Sequence, residues 1–208
     1  MNDIAQAERL NRKTPIAPSD MKAIDAIYER QSVRDYTAEK LDESTVFDLV
    51  NAAIHAPTAM DEEPWAFVII QDKTLLNRMS DNAKKLMQSG FEANLTQGNK
   101  LQQEHFLVPE FNVFYNATTL IVICAKPVSD FVSADCWLAT QNILLAATAR
   151  KIGSCVIGLA VQILNTPKWK QELGIAEDMS VFVPIILGFP SKETSIKPRK
   201  PANILTWK

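Results

Sequence analysis

Apolar residues recur at three- and four-residue steps in several stretches of the chain, a spacing that predicts helices with one buried face. The first helix is expected to begin near Met21 and to run into the basic turn ERQSVRDY. The second follows Asp42 and must end before Pro57, because a residue that precedes proline is pushed out of the helical region. The residues predicted to be buried are Met21, Ile24, Ile27 and Tyr28 in the first helix, and Val46, Phe47, Leu49, Val50, Ala53 and Ile54 in the second.

A further helix is predicted over residues 134–151, and it should be the longest apolar-periodic helix and lie centrally. Gly153 is placed to end it, as glycine commonly does just after a helix. Shorter helices should follow Asp72 and begin at Asn165, the latter ending at Gly174. The predicted face of the long helix carries Trp137, Leu138, Gln141, Leu144, Leu145 and Thr148.

Four runs of β-branched and aromatic residues predict buried strands between these helices. They are WAFVII at 65–70, TLIVICA at 119–125, the short run CVIGL from Cys155, and VFVPIILG at 181–188. Pro184 in the last run argues for an edge strand or a bulge, because proline donates no ladder hydrogen bond. Strands that alternate with helices favour an α/β or α+β layered fold with helices packed against one central sheet.

The length of 208 residues favours a single domain over residues 20–208. Residues 1–19 are polar, contain two prolines and predict an extended N-terminal arm. Residues 84–112 form a variable excursion, polar and rich in glutamine, in which the helical period is weak. Residues 190–208 form a tail with a basic, proline-containing segment.

Charge and hydropathy favour a soluble protein with a small-molecule partner. The formal net charge is −2, without a long run of one sign, which argues against a nucleic-acid or membrane partner. No window approaches the ~18 apolar residues of a membrane helix, and the N-terminus lacks the features of a secretion signal. We therefore expect a cytoplasmic location.

Several kinds of site are disfavoured by what the sequence lacks. It contains no GxGxxG, GxxxxGK[ST] or HExxH motif. His55 and His105 lie fifty residues apart without clustered cysteines, so no metal site is predicted. The three cysteines, Cys124, Cys136 and Cys155, are expected to be reduced, buried thiols.

Arg30, Ser32 and Arg34 lie in the turn where the first helix ends, so two guanidiniums and a hydroxyl can converge. This combination suits a phosphate monoester, because a guanidinium presents a planar fork of donors that matches phosphate oxygens. The alternative interpretation is that both arginines are solvated or pair with local acids such as Glu29 and Asp35.

Two other segments are candidates for binding. The stiff loop APTAMDEEPW, residues 56–65, can present backbone polar groups to the edge of a flat heterocycle, or can simply connect a helix to a strand. The tail segment KPRKP, residues 197–201, holds three cations in an extended conformation and can supply further charge to the same anion, or can be a solvated basic tail.

Taken in order, ERQSVRDY, APTAMDEEPW, the helix DCWLATQNILLAATARKIGS with its following CVIG, and KPRKP resemble the motifs of the FMN-dependent nitroreductase family over residues 21 to about 205. The resemblance implies an α+β fold, a three-layer sandwich with a central mixed, mainly antiparallel sheet flanked by helices. It also implies an intertwined homodimer whose two FMN sites are each built from both chains, with the 190–208 tail wrapping around the partner.

The resemblance carries over to four groups of residues. The family's Arg-x-Ser-x-Arg phosphate motif matches Arg30, Gln31, Ser32, Val33 and Arg34, and its later phosphate contacts match Lys197 and Arg199. The loop that the partner subunit packs on the flavin ring matches Pro57, Thr58, Ala59, Met60 and Asp61. Backbone near the reactive nitrogen of the flavin matches Ile157 and Gly158.

The implied activity is ping-pong hydride transfer from NADH or NADPH through FMN to a nitroaromatic, quinone or other conjugated acceptor, with no catalytic side chain assigned. Two alternatives remain: a reductive dehalogenase or dehydrogenase, and a flavin-binding protein with little turnover. The chain departs from the family pattern at Asp61 and Glu63, where Asn and Gln are common, and at Gln31, where a basic residue is frequent. Carboxylates near the ring would lower the flavin reduction potential, whereas carboxylates facing water would not.

Overall fold

The computed structural model describes residues 21–93, 108 and 110–208. The predicted arm at 1–19 and much of the 84–112 excursion lie outside the described residues. The helices are α1 Ala23–Glu29, α2 Glu43–Ala53, α3 Lys73–Ala93, α4 Val132–Ala149, α5 Val161–Leu164 and α6 Pro167–Glu172. Two 3₁₀ turns span Ala59–Asp61 and Gly158–Ala160, and the strands are β1 Trp65–Ile70, β2 Thr119–Ala125, β3 Gly153–Val156 and β4 Ser180–Gly188.

The four described strands form one sheet in the order β1-β2-β4-β3, and every pair of neighbours is antiparallel. Side chains of a strand alternate between the two faces of a sheet, and the core divides accordingly. Leu120, Val122 and Cys124 of β2 pack in a cluster with α3, α5 and α6. Ile121, Ile123 and Ala125 pack in a second cluster with α2 and α4. The predicted three-layer α+β sandwich is thus confirmed.

The predicted edge position of Pro184 is wrong. β4 lies between β2 and β3, and Pro184 pairs with Val122 in the interior of the sheet. The ladder accommodates it through a register shift between Ile123 and Cys124, which face Val183 and Val181. The irregularity therefore lies beside the proline, as the bulge alternative required.

The predicted apolar faces of α1 and α4 are only partly buried in the protomer. On α1, Ile24 and Tyr28 are 52% and 72% exposed, and Ala26 is the buried residue. On α4, Trp137 and Leu138 are 50% and 44% exposed, whereas Leu144 of the predicted face is buried. The two helices contact each other. Helical periodicity located the helices but could not tell which apolar side the protomer itself covers. At 21 residues, α3 is also longer than the 18-residue α4, contrary to prediction.

Gly153 does not end α4 as predicted. Lys151 takes the left-handed conformation after the helix, with φ of 58°, and Gly153 instead begins β3. A Cβ atom on Gly153 would lie 2.9 Å from both Cβ and Cγ1 of Val33 and 3.1 Å from Cγ of Pro190. The absence of a side chain at Gly153 therefore allows the segment around Val33 to approach β3 closely.

Candidate functional site

The segment that follows α1 lies in extended conformation alongside β3. The N–H of Val33 donates to the carbonyl of Ser154 at 3.0 Å, and Ser32 and Ser154 form a parallel bridge. Val33 is buried, whereas its neighbours Ser32 and Arg34 are exposed. The backbone hydrogen bond thus fixes the segment with the hydroxyl and the guanidinium on its accessible side.

Arg34 is oriented by two contacts. Its Nη1 lies 3.5 Å from the carbonyl oxygen of Ser32, and its guanidinium carbon lies 5.9 Å from the centre of the Tyr115 ring. Tyr115 in turn meets the ring of Phe111 edge-on, with centroids 5.5 Å apart. Arg30 is the C-cap residue of α1. The two arginines of the predicted phosphate motif thus lie on the same docked segment. Arg30 is placed by the end of α1, and Arg34 is placed by the Tyr115 ring.

The local acids do not neutralise these arginines. Asp35 pairs with Lys192 at 3.2 Å, and its pKa is lowered by a hydrogen bond from Ser191 and by Lys192. Within the described part of the chain, no ion pair is formed by Arg30 or Arg34. The charge of both guanidiniums is therefore available to an anionic ligand.

Cys155 lies beside this cluster. Burial raises the pKa of its thiol, while the Arg34 guanidinium, a hydrogen bond with Ser32 and the charge of Arg30 oppose the rise. Burial dominates, so Cys155 is an uncharged thiol at neutral pH. All three cysteines are free and buried, as the sequence predicted, and burial raises the pKa of Cys124 to about 11 and that of Cys136 to about 12.

The tail runs back along the arginine segment. Tyr36 forms an antiparallel bridge with Pro190, and the N–H of Ser191 donates to the Asp35 carbonyl at 3.1 Å. Farther on, Ile196 lines a cavity of about 470 Å³ together with Gln31. Lys197 and Arg199 follow in exposed positions. The path of the tail thus leads toward the arginine segment, although no described hydrogen bond or ion pair joins Lys197 or Arg199 to Arg30, Ser32 or Arg34.

Ile157 and Gly158 follow β3 directly. Ile157 is buried, and its N–H donates to the carbonyl of Pro184 at 2.9 Å. Gly158 is exposed, and a Cβ atom there would meet nothing within 4 Å. Gly158 begins a 3₁₀ turn two residues after the end of β3, the strand on which the arginine segment is docked. Cationic donors on that segment and open backbone at Gly158 are groups that the phosphate and the flat ring of FMN would contact.

The loop at 57–63 has an unusual backbone. Met60, Asp61 and Glu63 adopt positive φ of 55°, 54° and 43°, a region that non-glycine residues seldom occupy. Met60 is 90% exposed at the tip. The N–H of Ala59 donates to Oδ1 of Asp135 in α4 at 3.2 Å. No described contact joins this loop to the arginine cluster of its own protomer.

Two residues of this region were missed by the sequence analysis. Asp135 stands out only as a carboxylate within an apolar helix, one position before the buried Cys136. That pattern could have identified a buried polar contact but not its partner in the loop. Tyr115 carries no sequence signal, because its proximity to Arg34 depends on tertiary structure. Its φ of 52° is also unexpected for a tyrosine.

The described residues contain neither a metal-binding cluster nor a helix suited to cross a membrane. Among the described residues, no group of three or more histidines, cysteines and acids is arranged to hold a metal ion. Nδ1 of His55 lies 2.7 Å from the Asn51 carbonyl oxygen at the end of α2. None of the helices in the described ranges combines the length and the apolar character that crossing a bilayer requires.

Comparisons with known proteins identify the family. A protein of Archaeoglobus fulgidus with the name "Putative NADH dehydrogenase/NAD(P)H nitroreductase" is 31% identical over 172 residues, covering 80% of this chain and 84% of its own. An iodotyrosine deiodinase of Thermotoga neapolitana is 24% identical and covers 86% of this chain and 92% of its own.

The fold leads to the same group of proteins. The structure of a Bacteroides fragilis nitroreductase with bound FMN matches with a TM-score of 0.77 at 23% identity, over 90% of this chain and 100% of the other. An iodotyrosine deiodinase bound to FMN and 3-iodo-L-tyrosine matches with a TM-score of 0.72 at 19% identity, over 88% of this chain and 97% of the other. The model of the Nitroreductase family matches residues 27–189, and the chain therefore belongs to that family.

Proposed function

We propose that this protein is an FMN-dependent oxidoreductase that uses NADH or NADPH to reduce a conjugated small-molecule acceptor. The observation that carries the proposal is the cluster of the half-buried Arg30 and the exposed Ser32 and Arg34, which lies on the segment docked on β3 and is free of ion pairs within the described residues. Family membership and the FMN bound to structural relatives support it.

In this proposal the phosphate of FMN binds at the arginine cluster. Each charge-assisted hydrogen bond contributes about 1.5–3 kcal/mol, and the planar guanidinium of Arg34 can offer two donors at once. Lys197 and Arg199 would add charge from the tail. Gln31 supplies no charge at a position where the family often has a cation, and its side chain lines the cavity with Val33.

The flavin ring would lie over the backbone at Ile157 and Gly158. The open space above Gly158 leaves room for a flat heterocycle to approach the main chain. The loop comprising Pro57, Thr58, Ala59, Met60 and Asp61 would close the other side from the partner subunit, as the resemblance to the family implies. In its own chain, this loop makes no described contact with the phosphate cluster.

A homodimer is part of this proposal. The exposed apolar faces of α1 and α4 lie on helices that contact each other, and Trp137 and Tyr28 are at least half exposed there. In the tail, Leu205 and Trp207 are each 89% exposed. Exposed apolar side chains of this kind are typical of a protein interface. In the homodimer that the resemblance implies, each FMN site is built from both chains, so a second copy would supply the loop to the phosphate cluster of the first.

When bound, FMN accepts a hydride from the nicotinamide and supplies two electrons to the acceptor in a separate half-reaction. The residues of the chain bind and orient the reactants. Asp61 and Glu63 are exposed in the protomer. If the partner's ring lies about 6 Å from them, each carboxylate disfavours a negative reduced flavin by about 2–3 kcal/mol at an effective dielectric near 20.

The test is a visible spectrum and stopped-flow kinetics of the purified protein. We expect a yellow protein whose flavin absorbance bleaches on mixing with NADH or NADPH and returns with a nitroaromatic. A flavin that no nicotinamide reduces would instead indicate a flavin-binding protein with little turnover. A colourless protein that binds no added FMN would refute the proposal.

Substitution tests the phosphate site. Arg34→Ala and Arg199→Ala should each weaken FMN binding by about 1.5–3 kcal/mol, roughly ten- to a hundredfold. Arg78→Ala is the matched control, because Arg78 is a surface arginine that pairs with Glu172 and lies over the Trp169 ring instead. Unchanged FMN affinity in both site variants would place the phosphate elsewhere.

A reductive dehalogenase is the second candidate, favoured by the similarity to iodotyrosine deiodinases. Its reaction would break a carbon–iodine bond, release iodide and use two electrons and a proton to form a carbon–hydrogen bond. The two activities are separated by supplying the chemically reduced holoprotein with 3-iodo-L-tyrosine or with a nitroaromatic. Iodide release that outpaces nitro reduction would favour the dehalogenase.

A further inference from the structure

Asp135 is a carboxylate buried on an otherwise largely apolar helix face. It lies in the first turn of α4 and is 3% exposed. Its Oδ1 accepts a hydrogen bond from the N–H of Ala59, 76 residues away in the sequence. Its Oδ2 is buried and has no hydrogen-bond partner among the described residues. The backbone of the 57–63 loop is thus the polar contact that the structure gives to this side chain.

Burial of this carboxylate is expensive. Removing a carboxylate from water is unfavourable unless hydrogen bonds replace the lost hydration, and the adjacent helix N-terminus compensates only in part. An apolar side chain of similar size would fill the same volume without that cost. What Asp135 contributes beyond packing is therefore the acceptor for the N–H of Ala59.

The loop that it holds is strained. Met60, Asp61 and Glu63 are all in the left-handed region, which is unfavourable for residues with a side chain and persists only where the surroundings impose it. Within the loop, the N–H of Glu62 donates to the Ala59 carbonyl at 3.2 Å. Both groups belong to the loop, so this bond cannot fix its direction. Asp135 attaches the loop to the rigid α4.

We propose that Asp135 is a positioning residue for the 57–63 loop. By holding Ala59, it sets the direction in which Met60 and Asp61 are presented, and it acts on the flavin only through them. The proposal rests on the proposed function, in which this loop packs on the flavin of the partner subunit.

Amide hydrogen exchange in the cofactor-free protein tests the contact itself. Asp135→Ala removes the acceptor, whereas Asp135→Asn keeps an oxygen in the same place. Thr140→Val is the matched control, because Thr140 is buried on the same helix and its hydroxyl bonds within α4 to the Cys136 carbonyl. We expect the Ala59 amide to exchange at least about tenfold faster in Asp135→Ala, and at nearly the parent rate in Asp135→Asn and Thr140→Val.

The flavin provides the second readout. In Asp135→Ala we expect a shifted visible band and FMN affinity reduced by about tenfold, with both restored in Asp135→Asn. Asp135→Leu, which fills the volume without an acceptor, replaces the alanine variant if that variant does not fold.

The failures are distinguishable. If the parent protein binds no FMN, the proposed function fails while the exchange rates still decide the role of Asp135. If the parent binds FMN but Asp135→Ala matches Thr140→Val in exchange and spectrum, the positioning role is overturned. Equal loss in Asp135→Asn overturns it too, because the hydrogen bond would then not be the cause.

Discussion

Gly153, the first residue of β3, and Gly158, which follows the strand, should respond differently to replacement by alanine. A Cβ atom on Gly153 would lie 2.9 Å from two atoms of Val33, whereas a Cβ atom on Gly158 would meet nothing within 4 Å. We therefore expect Gly153→Ala to destabilise the protein. We expect Gly158→Ala to leave stability unchanged and to weaken FMN binding, because its methyl group would enter the space proposed for the ring.

The magnitude for Gly153→Ala follows from two opposing effects. Overpacking of a tight contact costs about 1–3 kcal/mol, and replacing glycine in a strand returns about 0.5–1 kcal/mol of chain entropy. The difference is a net loss of about 0–2.5 kcal/mol, with about 1 kcal/mol at the centre of this range. For a chain of this size each kcal/mol lowers the unfolding midpoint by about 2–4 °C, so the central expectation is a fall of about 2–5 °C.

Thermal unfolding of the cofactor-free proteins measures this difference without stabilisation by bound FMN. Val33→Ala removes one of the two crowding atoms, so the double variant should lose less stability than the sum of the single variants. An unchanged midpoint in Gly153→Ala would refute the argument that Val33 approaches too closely for a side chain. Unchanged FMN affinity in Gly158→Ala would show that the flavin ring does not lie over the backbone at Gly158.

Three further predictions concern single contacts. Asp42→Ala should cost about 0.5–2 kcal/mol as a lost helix cap, measured by unfolding. Hydrogen bonds from Ser44 and Thr45 lower the pKa of Asp42 to about 2, so the cap's contribution is complete above the ordinary value of 3.8 and is lost as the pH falls toward 2. Tyr115→Leu should weaken FMN binding about two- to fivefold, because it removes ~0.5–1 kcal/mol of contact between the ring and the Arg34 guanidinium. Tyr115→Phe should bind FMN nearly as the parent does, and the affinity for riboflavin, which lacks the phosphate, should be unchanged in Tyr115→Leu. An equal loss for riboflavin would contradict a role at the phosphate. Asp61→Asn and Glu63→Gln should raise the flavin midpoint potential in a redox titration, and no change would mean that both carboxylates face water.

Much of the layered fold could be predicted because it depends on local pattern. β1 and β2 match their predicted bounds, since uninterrupted apolar runs leave few alternatives to a buried strand. The cap of α2 at Asp42 is likewise a local signal, and its side chain accepts the N–H of Thr45. The interior position of Pro184 was not predictable, because it depends on which strands become neighbours.

The residues of the candidate site also differ in whether local sequence or tertiary structure reveals them. Arg30, Ser32 and Arg34 form a short linear motif, so chemistry and spacing made a phosphate ligand one candidate, and the resemblance to the family favoured it over solvated arginines. Asp135 accepts a hydrogen bond from Ala59, which lies 76 residues earlier in the sequence. Tyr115, which follows the variable excursion in the sequence, contacts the guanidinium of Arg34 through its ring. Neither contact could be predicted from the spacing of residues in the sequence, because the partners come together only in the folded protein.

The apolar residues that were predicted on α1 and α4 but are exposed in the protomer lie on the two helices that carry Arg30 and Asp135. α1 ends at Arg30, and α4 carries Asp135 in its first turn, two residues before the exposed Trp137. A partner that covers these apolar residues would therefore contact α1 and α4, the helices that position the proposed phosphate ligands and the 57–63 loop. Association and cofactor binding would then stabilise the same arrangement, because each favours the ordered position of both helices. In the proposed homodimer, the exposed apolar residues of these two helices form the surface through which the partner subunit completes the flavin site.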